Sequence, residues 1–381
     1  MNSPRPKVLL VPEGSLYLAF RLPLLFRKAG WDVDLLCLTG DPMAHSRYVS
    51  TAFQEKTWKT LSVRLENILR DPRRHWQAVI VANEPTVHQL MASGDDELLK
   101  GWQPGALKPD ARAFSLGKFA FAAACRRRQF LIPPSRVCDT VAELLEFGRA
   151  AGWPIMVKPP DQSGGVGIVQ YDSPEEMTAG HASLVFPLLA QKFIQGSCGV
   201  VDMLCSAGRP LAWLASYPIK RNAGKFGPST ARLFRAMPEL QPLVEHLAQA
   251  TRFEGFCGFD WIKEDGTGQY YIIEFHPRPP PGFRFGGRCG VDFSAAITAW
   301  LTGAVENFPT QVQPSGSVVA AHYFSCDFFR CFRQCDWRGL MQWLPGSGAC
   351  HDIFWDDAPL LAAWARQRCH RFFQGQVPGR G

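Results

Sequence analysis

The patterning of this chain predicts an α/β fold at its amino terminus that passes into α+β further on. Three observations predict it. Short apolar runs alternate with helical stretches over residues 1–110, later apolar runs are joined by tight turns, and the composition is that of a packed globular protein. Hydrophobic residues make up 46% and charged residues 20%, and 381 residues are enough for two or three lobes with buried cores.

Taken in order, residues 7–11 (KVLLV) read as a buried strand and residues 17–28 as a helix ending at Gly30. Residues 33–38 form a second strand, closed by Gly40-Asp41-Pro42. Residues 77–82 form a third, with the polar loop Asn83-Glu84-Pro85 at its carboxyl end. Apolar strands separated by helices argue for a parallel, doubly wound sheet with helices on both faces. No GxGxxG follows the first strand, so a dinucleotide site is disfavoured.

A helix is then expected at 116–128 and an edge strand at 130–134. Thr140 and Glu143 stand at capping-box spacing and open a helix over 140–150, which Gly152 stops. Strands at 154–157 and 168–171 flank a glycine-rich loop, and Ser173, Pro174 and Glu176 open another helix. Strands follow at 188–193, 200–205 and 211–217, then a helix at 238–251. Asp265-Gly266-Thr267-Gly268 joins strands 258–262 and 270–275 as a hairpin, and a helix covers 291–301. The expected units are 1–110, 111–190, 191–310 and a C-terminal extension, 311–381. The tail from about 317 carries no clear pattern. Its aromatics (Phe328, Phe329, Phe332, Trp337, Trp343, Trp355) leave two uses open, core packing and the face of a homodimer, with core packing the weightier.

Forty-one Lys and Arg against thirty-four Asp and Glu leave a net charge of +7, spread without any run of five like charges. That balance argues against nucleic acid as a partner and suits an anionic small substrate. No apolar stretch approaches the ~18 residues a membrane span needs. The run Val8 to Val11 is too short for a secretory leader, so the twelve cysteines are expected as reduced thiols in the cytoplasm. Cys326, Cys331 and Cys335, near His322, lack the paired CxxC spacing of a zinc site. Cys198, Cys257, Cys289 and His246 carry no mark of chemistry and read as packing residues.

Two constellations do carry chemistry. Lys158 ends an apolar strand and precedes Pro159-Pro160-Asp161-Gln162-Ser163-Gly164-Gly165-Val166-Gly167. Glycines let backbone N–H groups approach phosphate oxygens, and the lysine adds a point charge; a plain hairpin turn is the alternative. In the second, a tight turn lets Asp260 and Glu274 approach each other on antiparallel strands, followed by His276 and Arg278. Paired carboxylates among apolar neighbours suit Mg²⁺, and Arg278 could clamp a phosphoryl group. A buried Glu274–Arg278 salt bridge is the alternative, and it would leave Asp260 without a partner.

In this order and spacing, residues from about 115 to 303 resemble the ATP-grasp superfamily. Leu116-Gly117-Lys118 is similar to its first nucleotide lysine and Lys158 to its second. Ser163-Gly164-Gly165-Val166-Gly167 resembles the loop over the phosphates, and Gln191-Lys192-Phe193-Ile194-Gln195-Gly196 the hinge. The resemblance implies an ATP-grasp fold, adenine on the backbone of Lys192 and Ile194, and Mg²⁺ or Mn²⁺ on Asp260, Glu274 and His276. Arg278 and Lys158 would be the catalytic cations, and Gly290-Val291-Asp292-Phe293 the step into the following helix. It implies an ATP-dependent ligase joining a carboxylate to an amine through an acyl phosphate.

Three positions depart from the pattern. His276 stands for the usual Asn, Gln191 for a frequent Glu, and no acid follows Gly196 closely enough for the ribose, leaving Asp202 as a late candidate. Bicarbonate activation, as in biotin carboxylase or carbamoyl-phosphate enzymes, and a non-catalytic nucleotide-binding protein are the competing readings. Lys220, Arg221 and Lys225 in a glycine-containing loop suit the acceptor's carboxylate or the γ-phosphate, with a solvated basic hairpin the equal alternative, and Arg284 and Arg288 beyond the metal strands are candidates for holding a substrate carboxylate.

Overall fold

The computed structural model describes residues 5–12, 19–102, 107–160, 165–222, 227–344 and 346–373. At the amino terminus β1 (Lys7–Val11), α1 (Leu22–Lys28), β2 (Asp32–Leu38), β3 (Val49–Glu55), α2 (Trp58–Arg70), β4 (Trp76–Val81) and α3 (Glu84–Ala92) alternate. Their strands form one parallel sheet in the order β3-β2-β1-β4. Side chains alternate across a strand, so Leu9 and Val11 pack with Leu61 and Leu65 of α2, while Val8 and Leu10 pack with Leu22 and Phe26 of α1. Helices therefore cover both faces, as the alternation requires. The helix expected over 17–28 is described only from its later part. Strand β3 and helix α2 were not anticipated. Thr57 and Thr60 cap α2 reciprocally, and Leu61, Leu65 and Leu69 form its buried stripe.

Short helices α4 (Asp96–Trp102) and α5 (Pro109–Ala113) lead to α6 (Lys118–Arg127). A second sheet follows, built from β5 (Ser135–Cys138), β6 (Ile155–Lys158), β7 (Val169–Tyr171) and β8 (Leu188–Lys192) in the order β5-β8-β6-β7, antiparallel throughout. Helices α7 (Val141–Ala151) and α8 (Pro174–Gly180) pack on it. Thr140 Oγ1 accepts from the Glu143 N–H at 3.2 Å, and Gly152 ends α7 at φ 84°, a conformation a side chain would strain. The strand expected at 130–134 begins instead at Ser135. Pro133 and Pro134 have no N–H to give a ladder, and the Pro134 carbonyl accepts from Lys192 N at 2.8 Å.

The largest sheet has eight strands. β9 (Gly196–Ser206), β10 (Arg209–Arg221), β11 (Ser229–Arg235), β12 (Gly255–Glu264), β13 (Tyr270–His276), β15 (Val318–His322) and β16 (Cys350–His351) run in the order β13-β12-β9-β10-β11-β15-β16, with β14 (Gln311–Val312) beside β10. Helices α9 (Gln241–Thr251) and α10 (Phe293–Thr302) pack against it, and a 3-10 segment, Pro281–Arg288, passes beside its strands. Helices α11 (Cys326–Arg333), α12 (Trp337–Met341) and α13 (Ala358–Phe373) complete the chain. The tail thus contributes strands to the sheet that carries Asp260 and Glu274. None of the described helices is long and apolar enough to cross a membrane.

Candidate active site

Strand β6 delivers Lys158 from an apolar stem in which Ile155, Met156 and Val157 are buried. Its ammonium is buried as well and donates to Gln191 Oε1 on neighbouring β8 at 2.6 Å. Burial pushes this lysine down to about 8, against the pull of nearby Glu274.

The hairpin of β12 and β13 puts Asp260 directly opposite Glu274. His276 lies two residues further along the same strand face, with Nε2 3.1 Å from Asp260 Oδ1 and Nδ1 3.7 Å from a carboxylate oxygen of Glu84. Burial disfavours charge on the imidazole, but Asp260 and Glu84 outweigh it and raise His276 to about 10. Burial likewise works against the Asp260 and Glu84 carboxylates. Asp260 is nevertheless held low by His276, and Glu84 by Arg278 and His276. Arg278 Nη2 reaches Glu84 Oε2 at 3.3 Å, so Glu84, not Glu274, is its partner. Glu274 instead has Lys118 Nζ at 3.7 Å.

These groups meet around one cavity of about 530 Å³. Lys158, Gly165, Gln191, Lys192, Ile194, Asp260, Glu274, His276 and Arg278 all line it. Val166 and Gly167 do not; Val166 is exposed, and Gly167 at φ 70° turns against Pro159. Ser163 and Gly164 lie outside the described residues. Lys118 lines a smaller cavity of about 260 Å³, which shares Glu84 and Glu274 with the larger one.

Several expected residues stand elsewhere. Asp202 is fully buried off the cavity, below Gly282, where any Cβ would come within 1.8 Å of its Oδ2; burial raises it to about 6. It has no route to a ribose. Arg284 is enclosed by Asp352 and the rings of Phe20 and Tyr323, and Arg288 does not reach the cavity, so neither meets a substrate there. Of the basic loop, Arg221 lines the cavity, Lys220 pairs with Asp336 at 3.5 Å, and Lys225 lies outside the described residues. His246 stacks on Phe130. His322 hydrogen-bonds Asp327, and the one His/Cys/acid cluster close enough to hold a metal among the described residues is Glu84, Glu274 and His276.

Glu84 and Arg232 were missed. Glu84 opens α3 just past the carboxyl end of β4, where Asn83 Oδ1 caps the helix by accepting from Thr86 N at 2.8 Å. Carboxyl ends of parallel strands are where open α/β sheets place ligands, and that rule alone could have marked it. Arg232, on the polar strand β11, carries no local signal.

The comparisons agree with this geometry. An ATP-grasp domain family matches residues 117–281. The large chain of carbamoyl phosphate synthase from Thermotoga neapolitana is 25% identical over 171 residues, 42% of this chain and 15% of that protein. The match therefore spans about 15% of the curated relative's length. Among solved structures, the ADP complex of N5-carboxyaminoimidazole ribonucleotide synthetase superposes with a TM-score of 0.64 at 15% identity, covering 87% of this chain and 85% of that one. L-amino acid ligase from Bacillus licheniformis superposes with a TM-score of 0.57 at 15% identity, covering 81% and 78%. Matched domain and shared fold together make residues 117–281 similar to the ATP-grasp domain family.

Proposed function

We propose that this protein is an ATP-dependent ligase that joins a carboxylate to an amine through an acyl phosphate. One observation carries the reading: Asp260 and Glu274, opposed across a hairpin, face the same cavity as Lys158 and Arg278. Acids and cations converging on one space suit a polyphosphate with a divalent ion, and phosphoryl transfer needs little else. The ADP in the neighbouring synthetase supports a nucleotide in the corresponding cleft.

On this reading the Lys192 carbonyl and the Ile194 N–H hold the adenine edge, since the Lys192 N–H is taken by Pro134. Lys158, Lys118 and the loop ending at Gly165 receive the phosphates. Asp260 and Glu274 fit Mg²⁺, which commonly binds through one or two carboxylates plus phosphate oxygens. Mg²⁺ would neutralise charge on the transferring group. His276 is a poor ligand because it holds a proton between Asp260 and Glu84; it fits better as a donor that aligns Asp260. Arg278, aimed by Glu84, stabilises charge as the γ-phosphoryl passes to the carboxylate. A buried, orphaned donor, Arg278 Nε, is consistent with an anionic oxygen arriving there.

The test is ATP and Mg²⁺ with a panel of carboxylates and hydroxylamine, which traps an acyl phosphate as hydroxamate. ATP-dependent hydroxamate is expected, and Glu274→Gln should lower it roughly 10²–10³-fold with an unchanged circular dichroism spectrum. Nucleotide binding with no hydroxamate or phosphate release would overturn the reading. The carbamoyl phosphate synthase match favours a second one, bicarbonate activation. Phosphate release that depends on bicarbonate alone would select it.

A further inference from the structure

Arg221 lines the larger cavity, and the ligase reading above leaves it without a task. It closes β10, where its guanidinium donates from Nη1 to the Gly227 carbonyl at 3.1 Å and from Nη2 to Cys198 Sγ at 3.2 Å. Among the described residues no carboxylate pairs with it. A half-buried guanidinium with no anion beside it attracts an oxyanion, and it has more N–H donors than these two bonds use.

Strand register says which part of a nucleotide passes this arginine. β9 pairs with β12 so that Gly196 faces Glu264, Cys198 faces Ile262 and Val200 faces Asp260. Side chains on one face of a strand recur every second residue, roughly 7 Å apart. The Cys198 row therefore lies one step from the metal acid Asp260 and one step from Gly196, where the hinge ends. A nucleotide laid from Lys192 and Ile194 to Asp260 has its base on one side of Arg221 and its β- and γ-phosphates on the other. Its ribose and α-phosphate come beside the guanidinium. What holds Arg221 in place comes from the far end of the chain. Lys220 Nζ lies 3.5 Å from Asp336, Arg333 donates to Asn222 Oδ1, and Gln334 Nε2 donates to the Asn222 carbonyl at 2.7 Å. Asp336 is itself fixed by Arg330 Nη1 at 2.8 Å and by Gly339 N at 2.9 Å. Both chain neighbours of Arg221 are thus tied to the end of α11 and its turn into α12. Resting on the nucleotide reading above, we infer that Arg221 holds the α-phosphate and that this turn of the C-terminal extension positions it.

Calorimetry with ADP and Mg²⁺, and with AMP in competition against ADP, tests the assignment, because the α-phosphate is common to both nucleotides. Arg221→Gln should weaken both by the same factor, about 10–100-fold, and Arg221→Lys should recover part of that loss. Lys220→Met together with Asn222→Ala loosens the strand end from the tail and leaves the bonds of Asp336 to Arg330 and Gly339 in place. That pair should weaken ADP roughly fivefold when Arg221 is present and less than about twofold when it is already Gln. An equal loss in both backgrounds would overturn the positioning role of the tail. A loss confined to ADP with AMP unaffected would overturn the α-phosphate assignment. So would unchanged affinity for both nucleotides with a raised KM for the carboxylate, and either result would leave the nucleotide reading standing. Wild-type protein that binds neither nucleotide would sink both.

Discussion

Among the described residues, two acid–histidine–arginine clusters are built from the same residue types, and one of them lines the cavity of about 530 Å³ while the other does not. In the first, Asp260, His276, Glu84 and Arg278 keep side-chain exposures of 11–28%. In the second, Asp327 is sealed: it accepts from His322 Nδ1 at 2.7 Å, Arg330 Nε at 2.7 Å and Thr230 Oγ1 at 2.8 Å, with no side-chain exposure. In the first cluster Arg278 Nε is buried without a hydrogen-bond partner, and His276 Nδ1 has only a long contact, 3.7 Å, to Glu84. Buried donors cost free energy when unpaired, so a folded chain keeps them where a ligand completes them. The comparison teaches that incomplete pairing beside a cavity, rather than the presence of a histidine–acid pair, separates a reactive cluster from a structural one.

The largest expected effects break that comparison at its two acids. Asp327→Ala takes the shared buried acceptor from His322, Arg330 Nε and Thr230, although Arg330 keeps Asp336 at 2.8 Å, and should destabilise the fold by about 3 kcal/mol, read as a lower denaturant midpoint. Asp260→Asn should lower that midpoint less, because Glu84 still faces the His276 imidazolium, while removing phosphate release. If Asp260→Asn unfolds the chain and Asp327→Ala leaves both fold and turnover alone, the two clusters have been assigned the wrong way round.

Which of these groups could be read from the chain follows from how local their signals are. Lys158, Asp260, Glu274, His276 and Arg278 sit on or just past strands whose apolar runs and turn residues are local, so their order and spacing placed them. Glu84 joins Arg278 across 194 positions, a contact no window of sequence contains. Strand β3 was missed because an edge strand half open to solvent shows little apolar alternation, and β11 (STARLFR) is equally polar. The tail escaped because β15 and β16 are short and are held by pairing with β11 and with each other. The arginines beyond β13 were judged by type alone; burial against Asp352 decides what Arg284 does.

Arg278 sharpens the same contrast at smaller amplitude. Arg278→Lys keeps a charge but loses the planar fork, and kcat should fall roughly 10²-fold with little change in the affinity for a non-hydrolysable ATP analogue. An equal loss in both would make Arg278 a ground-state binder. Lys158 gives a gentler test. Its ammonium, pushed down to about 8, is charged below that pH and neutral above it. Analogue affinity should therefore weaken roughly tenfold between pH 7 and 9. Lys158→Arg, which stays charged, should flatten that limb.

The smallest effect concerns His276 and stability. Its folded value of about 10 lies above the ordinary 6.5, because Asp260 and Glu84 face it and outweigh both burial and the neighbouring Arg278. Above pH 6.5 the folded chain keeps a proton that the unfolded chain has released. The stability this contributes is therefore complete below 6.5, declines as pH rises, and is gone once pH passes about 10. Lys158 works in the opposite sense, since its folded value is depressed; it is present in both proteins compared and cancels from their difference. The gap in melting temperature between the wild type and His276→Gln should accordingly narrow steadily from pH 7 to 10. Parallel curves across that range would mean that His276 is neutral between the two carboxylates. The assignment of the divalent ion to Asp260 and Glu274 alone would then give way to one that includes the imidazole.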